Sequence, residues 1–367
     1  MSRLRIAVVT PRYAISGVPL AQWRFAAAFG ALGHEVDLIV GRCDTNLAIP
    51  PAPGVRVTVV GSGQTRGMFF YIARYLLRAK PDIVFSAEDH LNTIVLIAAI
   101  LTRSQAKISG SSRVTPYDTY SSTPFTKRWL LKVMARMVAW RADALTCVSH
   151  DMVDQYRIVF PDAKHVCVYN IVDQPAARAK IGSPVDDLWF NDKTLPLVVG
   201  AGSLMPWKGF DDLIRAVGIL INGGRPVRLV ILGEGASRTA LEALVNELGL
   251  KDHVRLPGRT DNPLAHFARA DVFALSSHVE GLPNVLVEAM MAGCTPVSVD
   301  CPTGPREVLQ GGRYGYLTRI RDPEDLAAGI GRALDHPIAP EVLAEGVRPF
   351  HEDVVIRRHF ELLGVAA

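Results

Sequence analysis

Short apolar runs rich in Val, Ile and Ala alternate with longer stretches of helical periodicity along the whole chain. A run that is apolar at every position is the mark of a strand covered on both faces. The alternation is therefore that of parallel α/β sheets with helices on both sides. In the first half the pattern predicts strands at Arg5–Thr10, Glu35–Val40, Arg56–Val60, Ile83–Ser86, Lys107–Ser111, Ala144–Val148 and His165–Tyr169. Helix-like stretches such as Leu20–Leu32 and Trp129–Arg141 lie between them. A polar, irregular segment from Gln174 to Leu195 carries Pro175, Gly182, Pro184 and the pair Asp186 and Asp187, and it reads as a linker. The pattern restarts with Pro196–Ala201, Val227–Leu232, Val254–Leu256, Val272–Leu275 and Thr295–Val299. The expected division is 1–173, a linker at 174–195, 196–345, and a C-terminal segment at 346–367. Val354–Leu363 in that last segment is amphipathic and is expected to pack away from the second sheet, back on the first domain.

Length and composition agree with two packed domains. The chain has 367 residues, 49% of them hydrophobic and 21% charged, which excludes disorder. A formal net charge of +4 is too small to imply nucleic-acid binding by the whole protein. Five cysteines, with no close metal-type pair, read as reduced thiols in a cytosolic protein and argue against zinc. Arg3 and Arg5 run directly into an apolar strand, so no secretory signal peptide is expected. The longest apolar run, Ile94–Leu101, is far short of the ~20 residues that span a bilayer.

Chemistry concentrates in Glu280-Gly281-Leu282-Pro283-Asn284-Val285-Leu286-Val287-Glu288. Pro283 suits the first turn of a helix, which places Glu280 in the preceding loop and Glu288 inside the helix. The amides of Asn284 and Val285 are then expected to be free at a helix N-terminus, where anions bind. A carboxylate on either side of an anion site points to hydroxyl recognition, as in a sugar or ribose. Lys208, in Gly202-Ser203-Leu204-Met205-Pro206-Trp207-Lys208-Gly209, follows a strand and could neutralise a departing diphosphate. A nicotinamide cofactor fits poorly. Gly61-Ser62-Gly63 misses the third glycine of the dinucleotide fingerprint although Asp82 is well placed, and Gly233-Glu234-Gly235 is followed by Arg238, while the next strand end, Leu256–Thr260, offers no carboxylate.

These motifs resemble the retaining family 4 glycosyltransferases. The resemblance rests on Glu280 and Glu288 in their flanking residues, on Trp207-Lys208-Gly209, Gly233-Glu234-Gly235, Asp300-Cys301-Pro302-Thr303-Gly304-Pro305-Arg306-Glu307 and Tyr169-Asn170. Gly17, Gly33-His34-Glu35-Val36 and Ser149 match more loosely in the first half. It implies the α/β GT-B class, two Rossmann-like doubly wound domains with an interdomain cleft, holding a nucleotide-sugar donor and needing no cofactor and no metal. It further implies that Glu288 binds the ribose, Glu280 contacts the transferred sugar, and Lys208 binds the diphosphate. Asn284 and Val285 would cradle the phosphates, Gly17 would let the first domain approach the donor, and Ser203, Gly233 and Arg259 would complete the donor site. Where the family usually has an arginine, this chain has Ser203, so leaving-group stabilisation leans on Lys208, the helix dipole or a substitute such as Arg306.

Several other residues complete the expectations. His90, after Asp89 beyond the fourth strand, reads as a catalytic contact to sugar or acceptor from a loop, and Arg113, after the fifth, as an acceptor contact. Asp211 and Asp212 read as charge complements of a helix start. Residues 127–141 interleave Lys127, Arg128, Lys132, Arg136 and Arg141 with Trp129, Leu130, Leu131, Val133, Met134, Met137 and Trp140. Together with Arg66, Phe69, Phe70, Tyr71, Arg74, Tyr75 and Arg78 they tip the reading toward peripheral contact with an anionic membrane, against a helix with its apolar face in the core. The expected function is transfer of a hexose or N-acetylhexosamine from a UDP-sugar to a lipid-linked or surface-polysaccharide acceptor, in the cytoplasm at the inner face of the plasma membrane. The alternatives are a GDP-mannose-type mannosyltransferase and a catalytically silent nucleotide-sugar-binding protein.

Overall fold

The computed structural model describes residues 3–14, 17–43, 48–61, 65–192 and 194–365. Ser62 and Gly63, part of the glycine loop considered for a dinucleotide, lie outside the described residues. The chain divides into two compact units, one of Met1–Ile171 with Glu352–Ala367 and one of Val172–His351.

In the first unit the apolar runs become seven strands: β1 (Arg5–Tyr13), β2 (Glu35–Cys43), β3 (Val55–Val59), β4 (Ile83–Ala87), β5 (Lys107–Ser112), β6 (Ala144–Cys147) and β7 (His165–Cys167). They form one sheet in the order β3-β2-β1-β4-β5-β6-β7, every neighbouring pair parallel. β1 runs three residues past its expected end, through Pro11, with Arg12 opposite Arg42 and Tyr13 opposite Cys43. Each face of the sheet has its own core. Phe25 and Phe29 of the helix Gly17–Ala31 pack on one face with Phe360 of the helix Glu352–Leu363. Ile72 and Leu76, with Leu91 and Val95 from the helices Phe69–Ala79 and Asp89–Leu101, fill the other.

The chain thus returns to its first unit through an amphipathic last helix. It buries Val355, Ile356, His359, Phe360 and Leu363, with the Phe360 ring stacked 5.6 Å from Phe29.

Two buried histidines of this unit make it acid-sensitive. His359 sits edge-on to Phe25 and Phe85, and burial pushes it down to about 3; burial also pushes His165 down to about 4. Both are neutral when folded and protonate near pH 6.5 when unfolded. Below that pH the unfolded chain binds more protons, so stability falls as pH falls, by about 1.4 kcal/mol per pH unit for each imidazole. Urea midpoints should drop between pH 6.5 and 5, and His359→Phe should make that slope shallower. An unaltered slope would mean that His359 takes up its proton without unfolding.

The second unit is built from β8 (Leu197–Ala201), β9 (Arg228–Leu232), β10 (Val254–Gly258), β11 (Val272–Leu275), β12 (Thr295–Val299) and β13 (Tyr316–Thr318). Their order is β10-β9-β8-β11-β12-β13, again all parallel. The segment 174–195, expected to be a linker, belongs to this unit. Its polar composition hides apolar anchors: Val185, Trp189 and Phe190 are buried, the Arg255 guanidinium lies 3.9 Å over the Trp189 ring, and Asn262 donates to the Lys180 carbonyl. Residues 346–351 also stay here, because Phe350 is buried and its carbonyl accepts from the amides of Val172 and Asp173. Among the described residues no helix is long and apolar enough to cross a membrane.

Candidate active site

The carboxyl ends of β8, β9, β10 and β11 gather the second unit's predicted residues at one sheet edge, where ligands of doubly wound sheets bind. After β8 the chain makes one tight turn, Pro206–Lys208, and enters the helix Phe210–Asn222 through Gly209 at φ 61°. Only glycine fits there, since a Cβ would lie 2.2 Å from the Ser276 carbonyl oxygen. The turn is pinned further when Ser276 Oγ donates to the Lys208 carbonyl and the His278 amide donates to that of Trp207.

This places the Lys208 ammonium against the loop after β11. Its Nζ lies 2.5 Å from Glu280 Oε1, with the two side chains 19% and 12% exposed. An ammonium has three donors, and among the described residues Glu280 is its one recorded partner. Glu280 is fixed from behind. Its amide donates to the Pro302 carbonyl, and its own carbonyl accepts from the amide and hydroxyl of Thr303. The same charges reach Cys301, whose thiol is pushed up to about 12 by burial first and by Glu280 next.

The helix bearing Glu288 spans Asn284–Met291. Pro283 precedes it as its cap instead of lying in its first turn. The Asn284 amide, expected to be free, donates to the Leu282 carbonyl, because Leu282, Pro283 and Asn284 close a tight turn at the helix entry. Val285 stays half-buried in the first turn, with Glu288 half-buried one turn on.

Gly233 has a packing reason of its own. A Cβ there would lie 1.8 Å from the Gly202 carbonyl oxygen, while the Gly233 amide donates to Gly258 and that of Gly202 to Leu232. The post-β8, post-β9 and post-β10 loops thus rest directly on one another. Ser203 is exposed on the first of them and Arg259 on the third. Arg306, the suggested substitute for the missing arginine, is committed to Asp300, with Nε 3.0 Å from Oδ2. Asp212 is more than a helix-start charge, for its carboxylate meets His278 Nε2 at 2.9 Å. Beside Arg259 lies a cavity of about 430 Å³ lined by Leu232, Pro257, Gly258 and Thr260 and by the carboxylates Asp186, Asp187 and Asp261.

In the first unit the predicted residues also collect at the carboxyl edge. Gly17 opens its helix at φ 62°, and a Cβ would meet nothing within 4 Å, so backbone conformation and not crowding requires glycine. His90 is exposed, but it lies in the first turn of the helix Asp89–Leu101 and not in a loop. Arg113 is buried, although arginines are mostly exposed. Two neighbours escaped the sequence reading. Glu88 caps the same helix at φ 77°, and Asp89 is buried, accepting from Ser112 Oγ and Tyr156 OH at 2.6 Å each. The Glu-Asp-His triplet at a strand end was the available signal.

Comparison with known proteins gives the family. Residues 188–348 match the family described as Glycosyl transferases group 1, and residues 16–170 a Glycosyl transferase 4-like domain. A GDP-mannose-dependent alpha-(1-6)-phosphatidylinositol monomannoside mannosyltransferase of Mycobacterium tuberculosis is 30% identical over 271 residues, 68% of each chain. The chain belongs to the group 1 glycosyltransferase family. Within that family, the lipopolysaccharide core biosynthesis glycosyltransferase LpsD of Rhizobium meliloti is 35% identical over 55% of this chain and 56% of its own length. The chain spans about half to two thirds of the length of the curated relatives it matches first. Sucrose-phosphate synthase from Thermosynechococcus elongatus shares the fold at TM-score 0.75 and 19% identity, covering 98% of both chains. Anabaena Alr3699/HepE, solved with UDP and glucose, does so at 0.74 and 18%, covering 99% of this chain and 100% of its own. The two doubly wound units of this glycosyltransferase family member are therefore of the GT-B class.

Proposed function

We propose that the chain is a retaining glycosyltransferase that moves a hexose or N-acetylhexosamine from a nucleoside diphosphate sugar to a lipid-linked or surface-polysaccharide acceptor. The observation that carries this is the half-buried Lys208–Glu280 pair, set at the sheet edge that also bears Glu288. In the reaction the bond between the anomeric carbon and the diphosphate oxygen breaks. The acceptor hydroxyl enters on the same face and passes its proton to the departing oxygen. Lys208 stabilises the negative charge that grows on the diphosphate, Glu280 orients the sugar, and Glu288 holds the ribose. Relatives act on acceptors of this kind: one is a Campylobacter jejuni N-acetylgalactosaminyltransferase of a diphospho-undecaprenol-linked sugar, 31% identical over half of this chain.

Uridine is the first reading of the base, taken from the Pro257, Gly258 and Thr260 stretch that lines the cavity. Guanosine is the second, favoured by Asp186 and Asp261 on the same cavity, since a carboxylate complements guanine's ring N–H and amino group. The mannosyltransferase relative is GDP-mannose-dependent by name. Thermal unfolding with UDP and GDP separates them: a diphosphate at about a hundred times its Kd adds about 2.7 kcal/mol to stability. UDP alone should raise Tm under the first reading and GDP alone under the second. No shift with either would remove the nucleotide-sugar reading.

The reaction belongs at the cytosolic face of the membrane. No residue of the helix Lys127–Val138 is buried, and Leu130, Met134 and Met137 stand out on one side of it, followed by Trp140. Part of its charge is spent internally, for Arg136 pairs with Asp162, and Arg128 and Arg141 donate to backbone carbonyls. Lys127 and Lys132 remain to meet anionic lipid.

A further inference from the structure

Arg113, immediately after β5, is 8% exposed, and its Nε and Nη1 are buried without a hydrogen-bond partner. Arginine is almost never buried unless paired, and a buried charge stripped of its partner costs several kcal/mol. The surroundings do not supply one. The guanidinium lies 5.8 Å from the centre of the Phe25 ring, and the nearby His359 also has an unpartnered nitrogen, Nδ1. Asp89 is already occupied by Ser112 and Tyr156. Glu88 faces the guanidinium electrostatically, yet among the described residues no carboxylate comes within ion-pair distance. Burial lowers Arg113 only to about 10, so it remains charged at neutral pH.

Its position is that of a ligand group. β1 is flanked by β2 and β4, so the chain reverses its winding there, and the carboxyl ends around such a reversal form the binding edge of a doubly wound sheet. Glu88 leaves β4 at this edge with its amide bonded to the Ser111 carbonyl, one strand over and two residues before Arg113. The left-handed backbone of Glu88, costly for a residue other than glycine, is the kind of strain kept at functional positions. We propose that Arg113 receives an anionic group of the acceptor, a phosphate or a carboxylate, in a subsite at the carboxyl edge of β4 and β5. A planar fork of N–H donors matches either group bidentately. The proposal rests on the glycosyl-transfer reading, because it assigns the acceptor to the first unit.

The test measures binding without turnover. The full chain is titrated calorimetrically at pH 8 with phenyl phosphate, glucuronate and neutral phenyl glucoside. One of the two anions should bind at least tenfold more tightly than the glucoside, and which one it is identifies the acceptor's acid. Arg113→Gln should weaken that anion at least tenfold and leave nucleoside diphosphate binding intact, whereas Lys208→Ala should do the reverse. Glu88→Gln, which removes the opposing carboxylate, should tighten the anion threefold or more and keeps the test open should Arg113→Gln fail to fold. The proposal is overturned if neither anion exceeds the glucoside, if Arg113→Gln or Glu88→Gln leaves its affinity unchanged, or if Lys208→Ala abolishes it. Loss of nucleoside diphosphate binding by the wild-type chain would instead remove the donor reading and leave the anion result standing.

Discussion

Lys208→Ala is expected to lower the rate of nucleoside diphosphate release in the presence of acceptor by about two to three orders of magnitude, the usual effect of removing one preorganised donor from developing negative charge. The ammonium is well placed to matter. It is only 19% exposed, it is held by a turn whose carbonyls are both pinned, and Glu280 takes just one of its three donors. The substitution has a second consequence. It strands Glu280, 12% exposed, without its partner, and an unpaired buried group costs about 1–3 kcal/mol. The two effects separate in a double-mutant cycle. Lys208→Ala with Glu280→Gln should regain much of the lost Tm and none of the lost rate, and Lys208→Arg should keep charge and part of the activity. A Lys208→Ala enzyme within tenfold of wild type would show that the leaving group is stabilised elsewhere.

Parallel strands are covered on both faces, so their apolar runs are continuous, and for that reason twelve of the thirteen strands among the described residues were legible at nearly their observed positions. β13 was not, because Tyr316–Thr318 is a three-residue edge strand cut off by Gly315 and Arg319, without the apolar run Val166–Tyr169 that marks the equally short edge strand β7. β1 continues past its expected end through Pro11 because β4 pairs with it only as far as Val9, so beyond that point it is an edge with β2 alone beside it, where a proline is accommodated. The supposed linker failed for a different reason. Its prolines, glycines and aspartates outnumber its anchors, yet Trp189 and Phe190 are enough to fasten it.

At the site, each motif was visible locally but the pairing between motifs was not. Lys208 and Glu280 are 72 residues apart, and only the β8–β11 adjacency brings them to 2.5 Å. The Asn284 amide was misread because a proline before a helix can open the first turn or close a tight turn ahead of it, and the sequence is the same in both cases. Arg113 was noticed for its position after a strand. Its burial and missing partners depend on Phe25 and His359, which arrive from opposite ends of the chain.

Gly233→Ala should destabilise the second unit by about 3 kcal/mol or more, a large part of the 5–15 kcal/mol that holds an ordinary domain together. The new methyl would sit 1.8 Å from the Gly202 carbonyl oxygen, and neither side has room to give. Gly202 is tied through its amide to Leu232, Gly233 to Gly258, and Leu204 and Glu234 are bonded across the same contact. Relief would require parting two loops that carry Ser203 and Lys208 on one side and approach Arg259 on the other. Urea unfolding followed by tryptophan fluorescence reads this once Trp23, Trp129 and Trp140 of the first unit are replaced by Phe, which leaves Trp189 and Trp207 of the second as the reporters. Gly224→Ala supplies the control, since that Cβ meets nothing within 4 Å and only its φ of 79° opposes the change, at a cost of about 1–2 kcal/mol. The comparison also decides what the Gly-Glu-Gly motif is for. A glycine kept for close approach to a donor would give an alanine variant that folds normally and loses nucleotide affinity; a glycine kept for loop packing gives the opposite, a variant that unfolds early but whose folded fraction binds nucleotide as before.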